Sequence, residues 1–88
     1  MANGLPEALD ATEIERRVAE IWHDVLSIPE GSPADATFFE LSGQSISAVR
    51  IVARIEEELG VQVDMGDLFE DPDLASFARD VAAKAAAV

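Results

Sequence analysis

The chain has no cysteine, one histidine, and only 6 Lys and Arg against 18 Asp and Glu, a net charge of −12 over 88 residues. Each scarcity excludes something. Without cysteine there is no disulfide, no thiolate nucleophile and no Cys-ligated zinc. So few cations leave no basic patch to neutralise phosphates, and a field of this sign repels nucleic acid and anionic lipid. Neither is expected as a partner. No window approaches the roughly 18 uninterrupted apolar residues of a spanning helix. The opening Met1-Ala2-Asn3-Gly4-Leu5-Pro6-Glu7 lacks a basic region followed by an apolar run, so no secretory signal is expected. A reduced, cytoplasmic location fits these absences.

What the chain does have is a hydrophobic fraction of 49%, too high for a disordered acidic tail, in a length that makes one small domain. Residues 1–11 read as a flexible leader with turn formers at Asn3-Gly4 and Pro6. Thr12 and Glu15 then have the spacing of a capping box. Ile14, Val18, Ile21, Trp22, Val25 and Leu26 form one apolar stripe on a helix from about residue 13 to 26. From Ser27 to Gln44 the chain reads as a long loop containing Pro29, Gly31, Pro33 and Gly43, anchored by an apolar cluster of Phe38, Phe39 and Leu41. Of these, Phe39 is expected in the core.

A second helix is predicted from Ser45 to Leu59, stopped by Gly60. Ala48, Ile51, Val52, Ile55 and Leu59 make its core stripe. Ile46, Val49 and Ala53 lie on a neighbouring strip beside Arg50 and Arg54, more apolar than a wet face requires. Val61-Gln62-Val63 is too short for a sheet. Asp64 is placed to cap a short turn carrying Met65, Leu68 and Phe69, and Pro72-Asp73 to start a last helix through Leu74, Phe77, Ala78 and Val81 into the alanine-rich end. The expected fold is all-α: a small four-helix bundle of three main helices and one short one.

The composition disfavours catalysis. His23, the lone histidine, is far in sequence from any serine and reads as a partly exposed helix residue. The acidic groups Glu56-Glu57-Glu58 and Asp64, Asp67, Glu70, Asp71 and Asp73 do not match calcium-loop spacing and read as solvated or partner-facing surface. One position stands apart. Ser45 falls where the held-down loop meets the second helix, with Gly43 able to turn the backbone through a positive φ. Free N–H groups and the positive end of a helix favour an anion there, so this hydroxyl suits attachment through a phosphate. On the residues alone, a helix cap is the commoner role for such a serine.

The run Asp35-Ala36-Thr37-Phe38-Phe39-Glu40-Leu41-Ser42-Gly43-Gln44-Ser45-Ile46 resembles the signature of peptidyl carrier, or thiolation, domains of nonribosomal peptide synthetases: Asp-x-x-Phe-Phe, then Leu-Gly-Gly-(His or Asp)-Ser-(Leu or Ile). Ile21-Trp22 with Val25-Leu26, the run from Ala48 to Ile55, and Leu68-Phe69-Glu70-Asp71-Pro72 resemble further segments of the family, in the right order. Ser42 replaces the first glycine of the usual pair, and Gln44 stands where His or Asp is usual. The resemblance covers nearly the whole chain and implies a carrier domain over residues 12–84, with 85–88 as a tail. It implies an acyl-carrier-type bundle in which Ser45 bears a 4′-phosphopantetheine arm. A phosphopantetheinyl transferase would deliver the arm from coenzyme A, and its thiol would hold aminoacyl or peptidyl thioesters.

The chain would then be no enzyme but a monomeric shuttle visited by adenylation, condensation, tailoring or thioesterase partners. Ile46, Val49 and Arg50, with Leu41 and Gln44, are the expected partner contacts. The alternatives are an acyl carrier of polyketide or fatty-acid type, which usually shows Asp-Ser-Leu at the site, and a non-catalytic adaptor bundle whose Ser45 only caps a helix.

Overall fold

The computed structural model describes residues 10–29, 35–41 and 43–86. They form four helices: α1, Ala11–Leu26; α2, Ser45–Leu59; α3, Met65–Phe69; and α4, Leu74–Ala86. The three-plus-one bundle is the expected one. Of the expected leader, residues 1–9 lie outside the described residues, as do Ser42 and the last two residues of the expected tail; Ala85 and Ala86 belong to α4.

Helix α1 begins earlier than Thr12. Asp10 is the N-cap, its Oδ1 accepting the Glu13 N–H at 2.9 Å. An aspartate in extended backbone ahead of Ala11 satisfies a first-turn donor, and Thr12 is taken into the helix. The helix ends on Ser27, in left-handed backbone at φ 57°, with Ile28 N–H bonded to His23 C=O at 3.0 Å. The predicted stop at Gly60 and the predicted N-caps at Asp64 and Asp73 hold. Gly60 closes α2 at φ 71°, where a side chain would be strained, and its N–H reaches Glu56 C=O. Asp64 caps α3 through the Gly66 N–H at 2.9 Å, and Asp73 caps α4 through the Ser76 N–H at 2.8 Å.

The core draws on every element. Ile14, Val18, Ile21 and Trp22 of α1, Ala48, Ile51 and Ile55 of α2, Leu68 of α3, and Leu74, Phe77, Ala78, Val81 and Ala82 of α4 are buried. Val61 and Val63, between α2 and α3, and Phe38, in the loop, complete it. Trp22 stands at the centre, its ring 5.8 Å from Phe77 and edge-on to Phe38 at 6.0 Å. No polar or charged residue is buried among those described. The seam between α1 and α2 is instead crossed at its surface by ion pairs of Arg17 with Glu58 and of Arg54 with Asp24.

Candidate functional site: the serine at the head of the second long helix

The loop ahead of α2 is fixed by its backbone. Phe38 N–H donates to Pro72 C=O at 2.9 Å, Phe39 N–H to Asp71 Oδ1 at 2.8 Å, and Thr37 makes an isolated antiparallel bridge with Asp73. Segment 37–39 is therefore tied to the junction of α3 and α4. Leu41 and Gly43 N–H groups fold back onto Phe38 C=O, at 3.3 and 2.9 Å. Of the expected anchors, Phe38 is fully buried and Leu41 half-buried against the core. Phe39 corrects the expectation: it is 48% exposed. Only one of two adjacent aromatics at this bend can enter the space beside Trp22, and Phe38 fills it.

Gly43 is also corrected. Its φ is not positive; among the described glycines only Gly60 has that conformation. What demands glycine is space. A Cβ there would lie 2.6 Å from three atoms of the Phe38 ring, far inside contact distance, and Phe38 has no exposed surface through which to swing away.

Two residues on, α2 opens at Ser45. Gln44 holds the N-cap position in extended backbone, without a side-chain hydrogen bond to the first turn. Ser45 is thus not the cap but the first helical residue. It is exposed, and among the described residues its hydroxyl makes no hydrogen bond. The first turn contains no acidic residue, so neither a side-chain cap nor a carboxylate offsets the positive end of the helix. A serine placed this way has room for a phosphoryl group, with donors of the right sign beside it.

Ile46 is 60% and Val49 49% exposed, one turn apart on the same face, and Gln44 and Arg50 are exposed as well. Arg50 makes no ion pair among the described residues, unlike Arg16, Arg17, Arg54 and Lys84. Phe69 of α3, at 42% exposed, is a further apolar surface residue that periodicity did not flag, because a five-residue helix has too few turns to show which side faces out. His23 is half-exposed and lines an open hollow with Glu20, Asp24, Ser27, Ile28 and Arg54, away from Ser45 in the chain. No group of three or more metal-ligating side chains is gathered among the described residues. No helix among them is long and apolar enough to cross a membrane.

The architecture recurs in solved carrier proteins. The chain matches BlmI of Streptomyces verticillus, a type-II acyl-carrier protein involved in bleomycin biosynthesis. The TM-score is 0.71 at 29% identity, over 83% of this chain and 87% of that one. It also matches McyG, in an A-PCP structure complexed with phenylalanyl-adenylate, at TM-score 0.66 and 32% identity, over 78% of this chain and 11% of that one. In sequence it is 41% identical to phosphinothricin tripeptide synthetase PhsC of Streptomyces viridochromogenes, over 97% of this chain and 8% of PhsC. It is 40% identical to pyochelin synthetase PchE of Pseudomonas aeruginosa, over 80% of this chain and 5% of PchE. It therefore spans less than a tenth of the length of these two synthetases. Residues 16–81 match the family model described as phosphopantetheine attachment site. The chain belongs to that family, as a non-catalytic carrier domain of the nonribosomal peptide synthetase type.

Proposed function

We propose that Ser45 is the attachment residue, that coenzyme A is the donor and that a phosphopantetheinyl transferase performs the transfer. One observation carries this: Ser45 stands exposed at the start of α2 with a hydroxyl that no described residue engages. Its Oγ loses its proton and forms the new P–O bond as the P–O–P bridge of the coenzyme A diphosphate breaks and the nucleotide bisphosphate leaves, while the uncapped first turn and positive helix end favour the phosphate charge. Phe38 and Gly43 hold that turn in place from the core side. When bound, the group supplies a terminal thiol for aminoacyl or peptidyl thioesters, chemistry that a chain without cysteine lacks. Residues 12–84 are read as the functional extent, acting as a monomer in the cytoplasm.

Ile46, Val49, Arg50 and Gln44 are the proposed partner contacts, with Leu41 contributing the part of its surface that the core leaves free. Adenylation domains are the first partners proposed, supported by the likeness to the McyG A-PCP structure; condensation, tailoring and thioesterase partners follow from the same shuttle role. Likeness to BlmI favours one second reading, an acyl carrier loaded by acyl transfer. Charging by an amino-acid adenylation enzyme, against charging by a malonyl transferase, separates the two.

The test is intact mass after incubation with coenzyme A and a broad-specificity phosphopantetheinyl transferase. Wild type is expected to gain one phosphopantetheine and Ser45→Ala none, with equal helicity. A gain in the Ser45→Ala variant would move the site elsewhere; no gain in folded wild type would remove the reading.

A further inference from the structure

Asp71 lies between α3 and α4 at φ 63°. Left-handed backbone is uncommon outside glycine, although aspartate tolerates it better than most. The next residue, Pro72, disfavours helical backbone in the residue before it. A conformation of this kind persists where its surroundings over-determine it. Here two hydrogen bonds do so. Asp71 N–H donates to Leu68 C=O at 3.1 Å, closing α3, and its Oδ1 accepts the Phe39 N–H at 2.8 Å across 32 residues of sequence. Among the described residues this is the one side-chain hydrogen bond joining the loop before α2 to the α3–α4 junction.

The bond acts on the site through the backbone. Phe39 N–H goes to Asp71 and Phe38 N–H to Pro72 C=O, so two successive loop residues are held by two successive junction residues. Phe38 in turn receives the Gly43 N–H on its carbonyl and presses its ring on the Gly43 Cα. Gly43 is two residues from Ser45. Building on the Ser45 reading above, we propose that Asp71 is a positioning residue for Ser45. Its carboxylate fixes segment 37–41, and through Phe38 also Gly43, and with them the angle at which the head of α2 meets the transferase.

Asp71→Gly separates the carboxylate from backbone strain, since glycine takes positive φ freely. This variant is expected to unfold no earlier than wild type in urea. Its Phe39 amide should exchange with deuterium roughly fivefold faster or more, the release expected for one lost hydrogen bond. The KM of the transferase for the carrier should rise roughly threefold to tenfold with kcat nearly unchanged, as misplacement of the acceptor predicts. Asp71→Asn keeps an oxygen acceptor in the same place and should restore both amide protection and KM.

An Asp71→Gly variant with wild-type KM, or with Phe39 protection intact, overturns the proposal. So does an Asp71→Asn variant as impaired as the glycine one. An Asp71→Gly chain that fails to fold beside a normal Asp71→Asn overturns it too, by assigning the bond to the fold rather than the site. Wild type that takes up no phosphopantetheine strikes instead at the Ser45 reading, so the two failures stay distinct.

Discussion

Gly43 has no room for a side chain. The hydrogen on its Cα faces the Phe38 ring, and a methyl group in that place would sit 2.6 Å from three ring carbons. The ring has no room to yield, being fully buried and packed edge-on against Trp22. Gly43→Ala is therefore expected to cost about 1–3 kcal/mol, in line with overpacked cores. It would be read as a lower urea midpoint at unchanged m-value, with slower modification of Ser45. An unchanged midpoint would mean that the ring moves at no cost. The glycine was legible in the sequence, but its reason was not. Composition suggests a backbone turn, whereas the cause is a contact between the loop and its own aromatic. The same limit applies to Phe38 and Phe39. An irregular segment has no period to assign one ring inward and the other outward, and only the space beside Trp22 decides.

At the level of elements, the helices follow from spacing and punctuation. The core positions of α2, the stop at Gly60 and the N-caps at Asp64 and Asp73 are where the sequence places them, because each rests on local chemistry that the residues carry themselves. Asp10 escaped for a related reason: Asp10 and Thr12 both suit an N-cap, each with a glutamate three residues on, and periodicity blurs over one or two residues at a helix end. Asp73 shows the electrostatic side of capping. The Ser76 N–H and then its hydroxyl hold the Asp73 carboxyl below its ordinary value, as Arg16 does for Glu13. Both groups are more acidic folded than unfolded. Their stabilisation is therefore present above the unfolded carboxylate range, about pH 4, and is lost as pH falls through the lower folded values. Asp73→Asn keeps a capping oxygen but cannot titrate. Between pH 7 and pH 3 its urea midpoint should fall less than that of wild type. Equal falls would show that the cap contributes nothing through its charge.

Over the whole molecule, charge and apolar surface are distributed unevenly. Several cations are occupied in pairing: Arg16 with Glu13 and Glu20, Arg17 with Glu13, Arg54 with Asp24 and Glu58, and Lys84 with Asp67. Exposed pairs of this kind add little stability, and they leave the excess of carboxylates facing water. Against that field stand Ile46 and Val49 beside Ser45, with Arg50 unpaired among the described residues. This division gives separate roles to steering and contact. A net charge of −12 attracts basic partner surfaces over about a Debye length, so kcat/KM for modification or loading should fall as salt is raised from about 0.05 M to 0.5 M. Ile46→Asp tests the contact, and its sign is informative. The added carboxylate strengthens attraction to a basic partner, so any loss must come from the apolar contact. That loss should be partly masked at low salt and full at high salt, approaching tenfold, about 1.4 kcal/mol, with helicity intact because Ile46 is 60% exposed. A deficit that shrinks as salt rises would mean that charge at this face works by repulsion, and that the partner surface opposite Ile46 is itself acidic.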